Sequence, residues 1–224
     1  MANVTELVFI LDKSGSMSGL ESDTIGGFNS MLKKQQADDE GTAFVSTILF
    51  NDRSQVLHDR IPLDKVQPLT DKDYFVGGTT ALLDAVGDAI KHIRNIHKYA
   101  REEDRPSKTL FIITTDGYEN ASRKFDYAEV KQLIEQQKEV GWEFIFLGAN
   151  IDAPQVAESI GIDRRSAVNY HADVRGTEVA FMAMSKRVSS ARSKARRKSA
   201  GFMASEPPDD SWRAELDEDF NSRK

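Results

Sequence analysis

The sequence predicts an α/β protein whose mostly parallel central sheet has one antiparallel edge strand and helices on both faces. Strand-like and helix-like segments alternate along the chain, as expected of such a fold. Three of the strand-like segments are unbroken apolar runs, which is typical of parallel strands that are covered on both faces. A short polar turn joins two further extended segments, as in a hairpin that places its second arm at a sheet edge.

The first half of the chain begins with an apolar run that ends abruptly in an acid. In the next amphipathic segment, Ser22 or Asp23 can cap the start of a helix. Gly41, after the polar end of that segment, is a typical helix stop. The predicted elements of this half are, in order, a strand at 6–11, a helix from Ser22 or Asp23 to about Gly41, and extended segments at 43–50 and 55–63.

The second half repeats the pattern of helix followed by apolar strand. Its helical segments carry apolar residues three or four positions apart, which places them on one buried face. Its strands are the runs TLFIITT and EFIFL. The predicted elements are a helix from Thr79 or Thr80 to about Tyr99, a strand at 109–115, a helix at 127–140, a strand at 143–147 and a short helix at 154–160.

The carboxyl-terminal part differs in charge from the rest of the chain. A helix is predicted over 177–200, and its second half, 186–198, holds seven basic residues and no acid. The stretch 206–219 reverses the sign, with seven acids and one arginine. We therefore expect a main domain at 1–172, a carboxyl-terminal helix at 173–203 and an acidic, weakly ordered tail at 204–224.

Composition limits the function classes. The chain has 224 residues, of which 39% are hydrophobic and 29% charged, as in an ordinary soluble globular protein. No apolar run approaches the roughly 20 residues that span a bilayer, and the start of the chain does not read as a signal peptide. The absence of cysteine fits a reducing compartment, so we expect a cytoplasmic protein. A net charge of −6 does not favour nucleic-acid binding by the protein as a whole.

Polar side chains follow the apolar strands at the sheet edge where open α/β sheets bind ligands. Three of them follow the first strand, a threonine follows the glycine pair 77–78, and an aspartate follows TLFIITT. Two carboxylates and three hydroxyls suit Mg²⁺ or Mn²⁺ and leave a position for water or an outside anion, such as a carboxylate of another molecule. The candidate ligands are Asp12, Ser14, Ser16, Thr79 or Thr80, and Asp116.

These segments resemble the metal site of von Willebrand factor type A (vWA) domains. DKSGS at 12–16 matches the DxSxS motif, GGTTALLDA at 77–85 is similar to the threonine loop, and TTDG at 114–117 is similar to the last aspartate motif. The resemblance covers roughly residues 4–160. The whole sequence looks closest to small, free-standing intracellular bacterial vWA proteins.

The resemblance implies a doubly wound, Rossmann-like sheet and a metal-ion-dependent adhesion site. Such a site binds Mg²⁺, with Mn²⁺ or Ca²⁺ as alternatives, and takes an exposed Asp or Glu of a partner protein as its last ligand. The family pattern favours Thr80 over Thr79. The implied metal ligands are therefore Asp12, Ser14, Ser16, Thr80 and Asp116. Lys13 and Tyr118 are candidates for the contact rim, and Asn150 and Asp152 either line that rim or cap a loop.

A competing function class is a Mg²⁺-dependent phosphoryl-transfer enzyme or hydrolase. Haloacid-dehalogenase-type phosphatases also begin with a strand that ends in aspartate, but they need a second carboxylate two residues later as general acid. Ser14 occupies that position here, and a hydroxyl cannot protonate a leaving group at neutral pH. The chain also lacks a GxxxxGK[ST] phosphate loop. We therefore expect no enzyme activity.

A third function class is a nucleic-acid-associated factor that acts through the basic segment 186–198. That segment lacks interleaved aromatic residues, and the acids of 206–219 lie within reach in the same chain. We expect a solvated helix end that is partly paired with those acids, and no nucleic-acid partner. A further hypothesis is that the acidic tail occupies the metal site when no partner is bound.

Overall fold

The apolar runs of the sequence form the central strands of one sheet. The computed structural model describes residues 4–38, 40–199 and 210–223. The strands, in chain order, are β1 (Val4–Asp12), β2 (Thr42–Phe50), β3 (Ser54–Pro62), β4 (Lys108–Thr115), β5 (Trp142–Ala149) and β6 (Ala167–Tyr170). They lie in the spatial order β3-β2-β1-β4-β5-β6.

Strand pairing confirms the predicted fold class. Within the described sheet, β3 alone runs antiparallel, as the second arm of a hairpin with β2, and the other neighbours are parallel. In the pairing of β1 with β4, Leu11 lies opposite Thr114. The two central strands therefore end side by side, and the residues that follow them leave the sheet at the same edge.

The described residues contain six α-helices. They are α1 (Glu21–Ala37), α2 (Leu82–Tyr99), α3 (Tyr127–Glu139), α4 (Ala153–Ser159), α5 (Val174–Ser199) and α6 (Ala214–Ser222). The helices α1 and α5 cover one face of the sheet, and α2, α3 and α4 cover the other. None of the described helices combines the length and the apolar character that a bilayer crossing requires.

The two helix layers explain why β1 has no polar alternation. Phe9 belongs to the core under α1 and α5, where it meets Phe28 edge to face with the ring centroids 5.5 Å apart. Val8 and Ile10 belong to the core under α2, α3 and α4. All three β1 side chains are at most 2% exposed, which is the burial expected of a strand that is covered on both faces.

Two elements differ from the sequence-based expectation. The strand β6, at the end of the sheet next to β5, was not predicted. The expected weak order of 204–224 is wrong for the described residues 210–223, which form a 3₁₀ turn at Ser211–Arg213 and the helix α6. Trp212 and Leu216 are 4% and 0% exposed and join the core under α5. Residues 204–209 lie outside the described part of the chain.

Three of the four acids of α6 form ion pairs with basic residues. Asp219 contacts Arg175 at 2.8 Å, and Asp217 contacts Arg213 at 2.7 Å. Glu215 contacts Lys186 of the basic segment at 2.6 Å, as expected for partial pairing between the two charged stretches. Within the described residues, these contacts do not support the hypothesis that the acidic tail occupies the metal site.

Candidate metal centre

Backbone hydrogen bonds join the loops that carry the candidate ligands. The amide of Gly15 donates to the carbonyl of Gly78 at 3.1 Å, and the amide of Gly77 donates to the carbonyl of Lys13 at 3.0 Å. The glycine at 78 has a φ of +77°, and a Cβ there would lie 2.6 Å from Oδ1 of Asp52. Only glycine fits this position without strain, so the glycine pair lets the threonine loop pass against the loop after β1.

Asp12 is held from three directions. Its Oδ1 accepts a 2.7 Å hydrogen bond from the amide of Ser14, and its Oδ2 accepts one of 2.6 Å from the hydroxyl of Thr115. The phenol of Tyr74 donates to the backbone carbonyl of Asp12 at 2.5 Å. These bonds fix the carboxylate at the end of β1, and Asp12 itself is 1% exposed.

The hydroxyls of Ser16 and Thr80 converge above Gly117. A Cβ built on Gly117 would lie 3.5 Å from Oγ of Ser16 and 3.7 Å from Oγ1 of Thr80. Thr80 is 3% exposed, whereas Thr79 is exposed to solvent. Thr80 is therefore the threonine that the structure brings to the other candidate ligands.

Asp116 completes the group. Its Oδ1 accepts a 2.5 Å hydrogen bond from the hydroxyl of Ser16, and Oγ of Ser14 lies 3.1 Å from Oγ of Ser16. Its Oδ2 is buried and has no hydrogen-bond partner within the described part of the chain. A buried carboxylate oxygen without a partner is unfavourable unless a cation or donor meets it. The oxygens present therefore fit a hard divalent cation.

The electrostatics of the two carboxyl groups lead to the same conclusion. Burial raises the pKa of Asp116 to about 6, and the neighbouring charge of Asp12 adds to that effect. Burial also raises the pKa of Asp12, against the opposing effect of its hydrogen bonds from Thr115 and Ser14. Two acids that share a buried site disfavour each other's ionisation, and a divalent cation between them removes that repulsion.

Several supporting residues were missed by sequence reasoning. Asn120 holds the threonine loop through two hydrogen bonds. Its side-chain Oδ1 accepts from the backbone amide of Thr80 at 2.9 Å, and its backbone amide donates to the carbonyl of Thr80 at 3.0 Å. Glu119 accepts from the amide of Leu83 at 2.9 Å, in the first turn of α2. Thr115 was visible as the last residue of the TLFIITT run, but the run alone did not indicate that its hydroxyl holds Asp12.

The candidate rim residues have different environments. Tyr118 is 55% exposed, whereas Lys13 is only 5% exposed. The ammonium of Lys13 donates to Oε1 of Gln55 at 2.8 Å and lies 4.6 Å from the ring centroid of Phe75, which is 61% exposed. Phe75 therefore covers Lys13 and takes the exposed position that was expected for the lysine.

The residues after β5 act mainly as caps. Oδ1 of Asp152 accepts from the amide of Gln155 at 3.0 Å, at the start of α4. The amide of Asp152 donates to the phenol oxygen of Tyr118 at 3.4 Å. Asn150 is exposed and has a φ of +56°. Of the two alternatives for Asp152, loop capping is the one that the structure shows.

Among the described residues, the remaining histidine, aspartate and glutamate side chains do not form a competing metal site. Within residues 4–38, 40–199 and 210–223, no group of three or more His, Cys, Asp or Glu side chains could hold a metal ion. The candidate centre has a different donor set, with two carboxylates and three hydroxyls. Such a set of oxygens selects a hard cation rather than a soft one.

The chain is similar to a known domain family over most of its length. The family model of the von Willebrand factor type A domain matches residues 6–179. No curated protein sequence gave a significant match to the chain.

Solved structures of vWA proteins have the same fold. Proximal thread matrix protein 1 from the mussel byssus, with a zinc-occupied MIDAS motif, matches with a TM-score of 0.56 and 15% identity, over 84% of this chain and 46% of that one. The manganese-loaded TRAP protein of Plasmodium vivax matches with a TM-score of 0.52 and 15% identity, over 81% and 73%. A von Willebrand factor type A protein from Catenulispora acidiphila matches with a TM-score of 0.52 and 14% identity, over 87% and 43%.

The chain spans about half the length of the byssus protein and of the Catenulispora protein. At these identities the structural likeness shows the fold alone. The family model covers most of the sequence, including all three segments that carry the candidate ligands. The chain therefore belongs to the von Willebrand factor type A domain family.

Proposed function

We propose that this vWA domain binds Mg²⁺ and, through the ion, an acidic side chain of a partner protein. The residues that would hold the ion are Asp12, Ser14, Ser16, Thr80 and Asp116. The observation that carries the proposal is the buried Oδ2 of Asp116, which has no hydrogen-bond partner among the described residues, on a carboxylate whose Oδ1 accepts from the hydroxyl of Ser16. Two proteins of similar fold, the byssus protein with its zinc-occupied MIDAS motif and the manganese-loaded TRAP protein, support the binding of a divalent cation.

The residues around the site would position the ligands. The hydroxyl of Thr115 and the amide of Ser14 donate hydrogen bonds to the carboxylate of Asp12, so the carboxylate would not need to reorient when a cation binds. The hydroxyls of Ser14 and Ser16 would be uncharged metal ligands, so they would not neutralise the charge of the ion. A bound Mg²⁺ would then offer a coordination position to an outside carboxylate. Ser16 is exposed, which leaves the centre accessible from the sheet edge.

A binding role fits the site better than phosphoryl transfer. The position that a phosphatase would use for its general acid holds Ser14, whose Oγ contacts Oγ of Ser16 at 3.1 Å. A hydroxyl cannot donate its proton to a leaving group at neutral pH. We therefore propose an interaction module without enzymatic activity.

The basic segment 186–198 is better explained by packing than by nucleic-acid binding. Arg192 is 2% exposed, and its guanidinium donates to the backbone carbonyls of Gln35 at 2.6 Å and Gly41 at 3.2 Å, where α1 ends. Arg187 pairs with Glu143, and Arg196 lies 3.4 Å from Glu40. These contacts hold α5 against the body of the domain and engage cations that phosphate binding would need.

A cytoplasmic location remains part of the proposal, supported by the absence of cysteine.

The metal part of the proposal is tested by calorimetric titration of Mg²⁺ into three proteins. These are the wild type, Asp116→Asn and, as a matched control, Glu139→Gln, which changes an exposed acid on α3. We expect the wild type and the control to bind one Mg²⁺ and Asp116→Asn to lose detectable binding. Equal binding by all three proteins would overturn the proposed site. Circular dichroism of each variant verifies that the fold is retained.

A further inference from the structure

Two exposed aromatic side chains lie at the edge of the sheet that carries the metal centre. Phe75 is 61% exposed and Tyr118 is 55% exposed. Both belong to loops that also carry parts of the centre, since Gly77 follows Phe75 closely and Tyr118 comes two residues after Asp116. Exposed aromatic side chains that adjoin a binding site are typical anchors for a protein partner.

Phe75 lies on the β3 side of the centre. Its ring lies 4.6 Å from the ammonium of Lys13, which in turn donates to Oε1 of Gln55 on β3. The amide of Gly77 is fixed to the carbonyl of Lys13 at 3.0 Å, so the loop that carries Phe75 is attached to the loop after β1. The backbone next to Phe75 is therefore attached to the loop after β1, and the ring lies against Lys13.

Tyr118 lies on the opposite, β5 side. Its phenol oxygen accepts a hydrogen bond from the amide of Asp152, which follows β5, at 3.4 Å. The ring is thus anchored at its hydroxyl end, while more than half of the side chain remains exposed.

The sheet order places the metal ligands between the two rings. β1, which ends in Asp12, and β4, which precedes Asp116, are the two central strands of the order β3-β2-β1-β4-β5-β6. Neighbouring strands lie about 4.8 Å apart, and an extended peptide advances about 3.3 Å per residue. An extended segment that crosses this edge with its acid at the ion would therefore bring side chains about two residues away toward each ring.

We propose that the site recognises an extended partner segment in which an Asp or Glu is flanked on both sides, within two residues, by large apolar side chains. The acid binds at the metal, one apolar neighbour packs on Phe75 and the other packs on Tyr118. The ammonium of Lys13 beneath Phe75 makes a basic neighbour unfavourable on that side. This inference rests on the proposed function and adds a sequence preference to it.

The test compares three pentapeptides on the wild-type protein with Mg²⁺ present. They are acetylated, amidated peptides of sequence Leu-Gly-Asp-Gly-Leu, Gly-Gly-Asp-Gly-Gly and Leu-Gly-Asn-Gly-Leu, and binding is measured by NMR titration. We expect the leucine–aspartate peptide to bind about tenfold more tightly than the glycine–aspartate peptide, because two apolar side chains become partly buried. The asparagine peptide should not bind.

Variants locate the preference on the two rings. The double variant Phe75→Ser, Tyr118→Ser should bind both aspartate peptides equally, at the wild-type affinity for the glycine–aspartate peptide. Tyr99→Ser is the control, since Tyr99 is 79% exposed near the end of α2, at a distance along the chain from the metal loops. It should keep the tenfold difference.

The outcomes separate this inference from the proposed function. If the wild type binds both aspartate peptides equally and only with Mg²⁺, the apolar preference is wrong and the proposed function stands. If the double variant keeps the tenfold difference, the assignment to Phe75 and Tyr118 is wrong. If neither aspartate peptide binds in the presence of Mg²⁺, the proposed function itself fails.

Discussion

The hydroxyl of Ser16 donates a hydrogen bond of 2.5 Å to Oδ1 of Asp116, across 100 residues of sequence. This contact ties the loop after β1 to the loop after β4. It also gives one carboxylate oxygen of Asp116 a hydrogen-bond donor, while the other oxygen is buried and has no partner among the residues that the structure describes. The fold therefore holds two of the proposed ligands, Ser16 and Asp116, in contact with each other.

The stabilisation of the domain by Mg²⁺ should depend on pH. Burial places the pKa of Asp116 at about 6, above its ordinary value of 3.8. In the metal-free protein this group therefore contributes stability that is fully present below about pH 3.8 and is lost as the pH rises through about 6. A bound cation favours the ionised carboxylate, so Mg²⁺ should raise the melting temperature more at about pH 7.5 than at about pH 5.

Thermal melts with and without Mg²⁺ at the two pH values check this expectation. Asp116→Asn serves as the control, because it lacks the titrating group and should show no Mg²⁺-induced shift at either pH. An equal shift in the wild type at both pH values would contradict the assignment of Asp116 as a ligand.

Thr115→Val should weaken Mg²⁺ binding without unfolding the domain. The hydroxyl of Thr115 holds Oδ2 of Asp12 at 2.6 Å, and valine has nearly the same shape but cannot donate this bond. Loss of a group that orients a metal ligand lowers metal affinity about 10-fold to 100-fold. The measurement is a calorimetric titration with Mg²⁺.

Thr109→Val is the matched control, since Thr109 is also buried on β4 but lies at the opposite end of the strand. It should bind Mg²⁺ as the wild type does. An unchanged affinity in Thr115→Val would show that Asp12 does not need this hydrogen bond.

Thr80→Val and Thr79→Val should differ in their effect on the metal. Oγ1 of Thr80 lies 3.7 Å from the position of a Cβ built on Gly117, and Oγ of Ser16 lies 3.5 Å from the same position, whereas Thr79 is exposed. We expect Thr80→Val to lower Mg²⁺ affinity about 10-fold or more, because it removes a ligand oxygen, and Thr79→Val to have no effect. The reverse result would move the ligand to Thr79.

Trp212→Ala should destabilise the domain by about 3 kcal/mol or more, the usual effect of removing a buried aromatic side chain. Trp212 is 4% exposed and packs in the core under α5. Urea denaturation provides the free energy of unfolding. Glu218→Ala, an exposed change on α6, is the control and should be nearly neutral. A neutral Trp212→Ala would mean that α6 is not part of the stable fold.

The sequence contained enough to bring the main parts of the site together. Parallel strands that are covered on both faces end at one sheet edge, so acids and hydroxyls placed directly after Leu11 and Thr115 had to meet there. The glycine pair at 77–78 marked the third loop. The resemblance to the family added the choice of Thr80, which stays a prediction; the structure shows this threonine buried and Thr79 exposed.

Other features depend on tertiary contacts that no local pattern reveals. The strand β6 has only four residues, too few for a clear period. Acids dominate the composition of 206–219, but Trp212 in the 3₁₀ turn and Leu216 in α6 are buried, and their burial outweighs the charge signal. The ring of Phe75, in the loop after β3, packs over the ammonium of Lys13, in the loop after β1. Sequence spacing does not predict this contact.

The most direct test of the central claim measures whether the domain holds an acidic side chain through its metal. The acetylated, amidated peptide Gly-Gly-Asp-Gly-Gly is titrated into the wild-type protein with Mg²⁺ and again with EDTA, and its asparagine counterpart serves as the control. NMR chemical shifts report binding. We expect saturable binding of the aspartate peptide with Mg²⁺ and none with EDTA or with the asparagine peptide. Binding that persists in EDTA, or that does not distinguish aspartate from asparagine, would contradict it.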